Sequence, residues 1–195
     1  MNYYKVMYDD ENSFPEQMVC MAEDDYEKKY GIDQYIFQKG VRLTNWNNDF
    51  TFYYDKSEGY IPTDYMANNL GWFLISPKFK DVMEKLDIKN VQYLPVKIKE
   101  KITGEEIHGF NIVNIIELID AIDWDNSEYS VFELKERGIK MISVRKYALS
   151  KNSINNLHIL RLKDSKFAIF VSEQLKNELL NNGITGIDFL KVKVI

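Results

Sequence analysis

Apolar positions along the chain recur with two periods, and each change of period marks an element. From Trp72 to Val96, WFLISPKFKDVMEKLDIKNVQYLPV, an apolar run stops at Ser76-Pro77, a helical pattern follows, and a second strand-like run closes the unit. Phe79, Val82, Met83 and Leu86 fall at i, i+3, i+4 and i+7, which sets one apolar stripe on a helix. Ser76 suits the N-cap, where a hydroxyl accepts an orphan backbone N–H, and Pro77 suits the first helical position, which needs no donor. A weak copy, Ala168 to Val192, aligns without a gap at an offset of 96. There Ser172 takes the cap position, Leu175, Leu179 and Leu180 form the apolar face, and Asn182-Gly183 supplies the stop. Five of the 25 aligned pairs are identical, which fits either a duplication or the recurrence of a common strand–helix–strand motif.

Elsewhere the pattern is mostly that of strands. Val96-Lys97-Ile98-Lys99 alternates, as a strand with one solvated face does, and IHGFNIVNII returns after a turn at Thr103–Glu106. The tail of that run, Ile115–Ile122, suits a helix nearly as well. SVFEL and IKMISVRKYAL flank Lys135-Glu136-Arg137-Gly138 as a second hairpin, and LHILRL and FAIFVS flank Lys163–Lys166 as a third. YIFQKGVRL and FTFYY predict two strands around the turn-prone Asn45–Asp49. Tyr3, Val6 and Tyr8 suggest a short strand, and Glu16–Lys29 a helix of poor spacing. The expected fold is α+β, a largely antiparallel sheet with hairpins and strand–helix–strand units at about 72–96 and 168–192. Punctuation at Ser57–Gly59 and Pro62 divides an N-terminal region, 1–60, from an α+β domain, 61–195, with one continuous domain as the alternative.

Charge changes this picture more than bulk composition, which is ordinary for a globular protein at 45% hydrophobic and 28% charged. Residues 1–60 carry 12 acids and 6 bases, and the eight acids from Asp9 to Glu27 are interrupted by no lysine or arginine. Such a field repels phosphates and attracts basic surfaces, which argues against a nucleic-acid partner. The single cysteine excludes an internal disulfide. The first residues lack the apolar core of a signal peptide, and no apolar run approaches the roughly 20 residues that span a bilayer. The expected location is the cytoplasm, with no membrane partner.

Catalytic and metal chemistry finds little support. His108 and His158 fall in separate predicted strands with no ligand spacing between them, and Cys20 sits among Met18, Val19 and Met21 as a small buried residue would. The Asp120–Glu128 cluster lacks the glycine and terminal glutamate of a calcium loop and reads as a solvated acidic turn. Glycine-rich phosphate loops and serine elbows are missing from the sequence. No enzyme and no cofactor are expected. The competing reading is a small-ligand-binding protein or enzyme with a pocket between the two strand–helix–strand units, and a third is a homo-oligomer built on open strand edges.

Ten of the thirteen tyrosines lie within residues 1–65, among the acids and beside Trp46. Tyrosine and tryptophan give large contact area at low entropic cost, and acidic charge steers a basic partner. Asp9, Asp10, Glu11, Asp24, Asp25, Trp46, Tyr53 and Tyr54 are therefore the candidate partner-binding residues; the bland alternative is that the aromatic residues of this region are strand core.

Short matches spread over residues 40–195 resemble a known family. They are Asp64, Leu74-Ile75-Ser76, Pro95-Val96, Asn114, Asp123 with Ser127, Ile159–Leu162, Val171-Ser172-Glu173, and Thr185-Gly186 with Phe189. The pattern resembles the immunity proteins numbered eleven in bacterial polymorphic toxin systems. That resemblance implies a non-enzymatic antitoxin that binds and neutralises a cognate protein toxin by occlusion. It carries over no catalytic or binding residue.

Overall fold

The computed structural model describes residues 1–134, 139–154 and 156–195. In chain order its strands begin with β1 (Tyr3–Tyr8) and β2 (Val19–Ala22), followed by helix α1 (Tyr26–Tyr30) and a short 3-10 turn at Ile36–Gln38. Strands β3 (Thr51–Tyr54), β4 (Tyr65–Asn68) and β5 (Leu74–Ile75) lead into helix α2 (Pro77–Lys85). Then come β6 (Val91–Pro95), β7 (Lys97–Glu100), β8 (Glu106–Ile107), β9 (Asn111–Ile115) and β10 (Leu118–Ile119). Strands β11 (Glu128–Leu134), β12 (Ile139–Lys146), β13 (Ala148–Leu149), β14 (Ile159–Leu162) and β15 (Ile169–Ser172) precede helix α3 (Glu173–Asn181) and β16 (Ile187–Val194).

Two sheets hold most of these strands. One has the order β10-β14-β15-β1-β16-β13, the other β6-β9-β5-β4-β2-β3-β7-β8, while β11 and β12 pair as a separate ribbon. This corrects the α+β expectation. With 37% of the chain in strands and 14% in helices, the protein is mostly β: two curled, half-barrel sheets carrying only small helices. The helical stripes at 72–96 and 168–192 are real, but each helix is nine residues long and serves as a plug on a sheet rather than a layer of its own. Pairing is also more mixed than hairpin reading suggests, since β2 with β4, β3 with β7, β10 with β14 and β13 with β16 run parallel.

The two strand–helix–strand units share a detail that neither shows alone. β5 and β6 both pair antiparallel with β9, which lies between them; β15 and β16 both pair antiparallel with β1, which lies between them. Each helix starts on a serine whose side chain accepts from the backbone N–H three residues on, Ser76 from Phe79 and Ser172 from Leu175, both at 3.2 Å. Each ends before a left-handed residue at the aligned position, Asp87 and Gly183, where φ is 53° and 62°. The helices pack side by side, and Phe79, Val82 and Met83 share one buried cluster with Leu175, Leu179, Val6, Val171 and Ile115. That cluster joins the inner faces of both sheets. A pocket between the two units, the competing expectation, meets this packed core.

Asp64 ties the sheets together at one end of the seam. Its carboxylate accepts from Ser76 Oγ (2.5 Å), Thr185 N (3.0 Å) and Thr185 Oγ1 (3.1 Å). Lys78 Nζ lies 3.6 Å from the same group and donates to the Gly183 carbonyl at 2.6 Å, joining the start of α2 to the end of α3. Gly186 makes the close approach workable: φ is +78°, and a Cβ there would stand 2.6 Å from the Tyr65 carbonyl oxygen.

The N-terminal residues are woven through the whole structure. β1 is a central strand of one sheet, while β2 and β3 belong to the other. Residues 35–43, expected as a strand, instead cross that second sheet as the 3-10 turn and coil, with Phe37 packed in a cluster around Phe50 and Trp72. The Glu16–Lys29 helix is replaced by β2 and the short α1. Strands β11 and β12 pair as the second hairpin, from Glu128↔Lys146 to Leu134↔Ile139; its expected turn, Lys135–Gly138, lies outside the described residues.

Candidate functional site

β2 alternates its side chains in the order out, in, out, in. Cys20 and Ala22 face the core, whereas Val19 and Met21 are each 50% exposed although both are apolar. Beside them β3 runs antiparallel, with Met21 opposite Tyr53. The turn after β2 supplies Glu23 and Asp24, the turn after β3 supplies Asp55 and Glu58, and together these residues line an open groove of about 610 Å³. Among the described residues, Lys101 is the one basic residue on its wall, against four acids.

The local geometry holds those charges in place. Ser57 donates to Asp55 Oδ1 from its hydroxyl (2.5 Å) and its backbone N–H (2.9 Å), and these bonds keep the Asp55 carboxyl below the usual carboxylate range. Glu23 pairs with Lys29 at 2.5 Å, and that bond raises the lysine. Tyr54 is pushed up by burial, then by Glu105 and Glu100. Carboxylates beside an apolar strip make a surface complementary to a basic, partly apolar one.

The candidate residues divide among three places. Asp24, Tyr53 and Tyr54 come together on the groove, although Tyr54 is mostly buried. Asp25 follows Asp24 as the exposed N-cap residue of α1. Asp9, Asp10 and Glu11 lie in the turn after β1, where the Asp9 carboxylate binds Asn12, and line no part of this groove. Trp46 is half-buried at the edge of the core: it stacks on Phe50, with ring centroids 5.5 Å apart, and its indole N–H donates to the Pro95 carbonyl at 2.8 Å. Sequence reasoning missed Val19, Met21, Glu23, Asp55 and Glu58. The available signal was Val19-Cys20-Met21-Ala22, apolar on both faces of a short strand.

The other chemical candidates have structural roles. Cys20 is fully buried, and burial pushes its thiol up to about 12. His158 Nδ1 lies 3.0 Å from Ser172 Oγ, while His108 is exposed beside Glu106. Asp123 accepts from the backbone and side chain of Asn126, and Ser127 donates to its carbonyl, a closed turn rather than a ligand cage. Among the described residues, no three His, Cys, Asp or Glu side chains gather as a metal site, and no helix is long and apolar enough to cross a membrane.

A wide groove with acidic walls and an apolar floor is a surface suited to a protein partner. The family model of the immunity protein family Imm11 matches residues 2–194, nearly the whole chain, and the protein belongs to that family. The match includes residues 2–39, which the resemblance did not reach. No curated protein matches the chain significantly.

Proposed function

We propose that the protein is a cytoplasmic, non-enzymatic antitoxin that binds a cognate protein toxin and neutralises it by occlusion, with the Glu23–Glu58 groove as the contact surface. Membership of an immunity protein family supports the role. The observation that carries the choice of surface is the exposure of Val19 and Met21 in a groove that Glu23, Asp24, Asp55 and Glu58 also line. Apolar side chains at the centre of an interface supply affinity, and the charged rim supplies association rate and selectivity. The partner surface is accordingly basic at its rim and apolar at its centre.

The test is association kinetics with the cognate toxin. The combined change Glu23→Gln, Asp24→Asn, Asp55→Asn and Glu58→Gln lowers the association rate about tenfold or more at low salt and flattens its salt dependence. Met21→Ala acts mainly on the dissociation rate. Neutralising Asp9, Asp10 and Glu11 together is the control for charge alone. Unchanged rates in the groove variant, with an effect in the control, place the interface elsewhere.

A further inference from the structure

Arg161 stands in the middle of β14, within the apolar run Ile159-Leu160-Arg161-Leu162. It lies opposite Ile169 of β15 and Leu118 of β10, and only 6% of its surface is exposed. Strand alternation turns Leu160 and Leu162 to one face of the sheet, where both pack in a further buried cluster with Tyr3, Leu149 and Phe170. Arg161 therefore shares the opposite face with Ile159, which packs in the seam between the sheets.

A guanidinium offers five N–H donors and stays charged at neutral pH. This one donates from Nη1 to the Lys166 carbonyl, and its buried Nε has no acceptor among the described residues. Among the described residues, no Asp or Glu pairs with it. A buried cation without a counter-ion is costly, and folded proteins pair such groups. Burial is the main influence on it, pushing the guanidinium down to about 10, still a cation at pH 7.

The side chain borders a cavity of about 340 Å³ whose wall, among the described residues, carries no acid. Gln34 and Gln38 bring amide groups to it, and Trp72 forms part of its lining, held by its indole N–H on the Gln34 carbonyl at 2.9 Å. Tyr35 and Phe167, 53% and 76% exposed, meet edge to face at its mouth with ring centroids 6.2 Å apart. Large exposed aromatics over a buried arginine are the residue types that dominate binding hot spots.

We propose that this cavity is a carboxylate-binding site, in which a ligand's single carboxylate completes the pairing of Arg161 and its apolar or aromatic body packs between Tyr35, Trp72 and Phe167. One cation without lysines or a phosphate loop matches a monoanion better than a phosphate dianion. The carboxylate can belong to a free organic acid or to an acidic side chain of a docked protein, since both present the same group. The site shares no lining residue with the acidic groove.

The test is two-dimensional ¹⁵N NMR of the intact protein titrated with benzoate, acetate and phosphate against sodium chloride at matched ionic strength. Benzoate and acetate shift the Arg161 Nε–H and Trp72 indole signals saturably, with benzoate about three- to tenfold tighter because of its ring. Arg161→Lys, which keeps the charge but loses the fork, weakens benzoate about tenfold, and Arg161→Gln abolishes the response. Repeating the benzoate titration on the toxin complex separates the sources: loss of the response assigns the carboxylate to the toxin, and its retention to a free acid. A wild-type protein whose Arg161 signal does not respond, or responds equally to chloride, overturns the proposal; because this readout uses the unaltered chain, it does not depend on the variants folding.

Discussion

Replacing Asp64 by alanine should cost more stability than any other change of an incompletely buried residue at the sheet seam. The carboxylate receives three hydrogen bonds, from Ser76 Oγ, Thr185 N and Thr185 Oγ1, and sits 3.6 Å from Lys78 Nζ. Hydrogen bonds to a charged acceptor contribute about 1.5–3 kcal/mol each, but the two hydroxyls can turn to other acceptors once the carboxylate is gone. The Lys78 ammonium is half exposed, so its share is small. The expected loss for Asp64→Ala is about 3 kcal/mol, which in a chain of this length lowers Tm by roughly 6–12 °C. Asp64→Asn keeps one acceptor for Thr185 and loses about 1 kcal/mol. Urea unfolding followed by tryptophan fluorescence measures both, with the slope m expected to stay constant. Because the residues share one network, adding Thr185→Val to Asp64→Ala costs less than Thr185→Val alone. A loss below about 1 kcal/mol for the alanine variant, or full additivity with Thr185→Val, would refute the view that this carboxylate clamps the sheets.

Phe50→Ala should cost about 3–5 kcal/mol in the same assay, because the ring is fully buried against Tyr30, Phe52 and Trp72 at centroid distances of 4.7, 5.2 and 5.0 Å. Gly186→Ala forces a side chain into a left-handed position against the Tyr65 carbonyl and lowers Tm more than Gly104→Ala, which has open space around its Cβ. The Cys20 thiol is raised from 9.0 to about 12 in the folded protein, so above pH 9 the unfolded chain releases a proton that the folded chain retains. From this group alone, stability is complete below pH 9 and falls by about 1.4 kcal/mol per pH unit until pH about 12. A thiol reagent should label Cys20 only in denaturant; rapid labelling of the native protein contradicts its burial.

The two helices were readable because everything that makes them is local. Ser76 and Ser172 cap through a backbone N–H three residues away, and the apolar stripe from Phe79 to Met83 needs only the helical period. The hairpin of β14 and β15 was readable for the same reason, its partners being separated by a few polar residues. YIFQKGVRL was misread because strand propensity describes residues that suit a half-buried surface, and Phe37 found that surface as packed coil against Trp72 at 4.8 Å. The candidate site was half readable. Acidic character and tyrosines drew the eye to Asp24 and Tyr53, but nothing local brings the turn at Asp55–Glu58 beside Glu23; the pairing of β2 with β3 does that.

By itself, then, the sequence determined the caps, the apolar stripes, the local hairpins and the uneven charge, because each rests on neighbours within a few residues. Only the tertiary structure decided that β1 and β9 enter the two strand–helix–strand units as middle strands, making a mostly β protein instead of an α+β one. It also left Val19 and Met21 uncovered among acids, half-buried Trp46 against Phe50, and set Arg161 in the seam where, among the described residues, its Nε finds no partner. Those outcomes depend on contacts between residues far apart in the chain, and periodicity carries no record of which partner a face will meet.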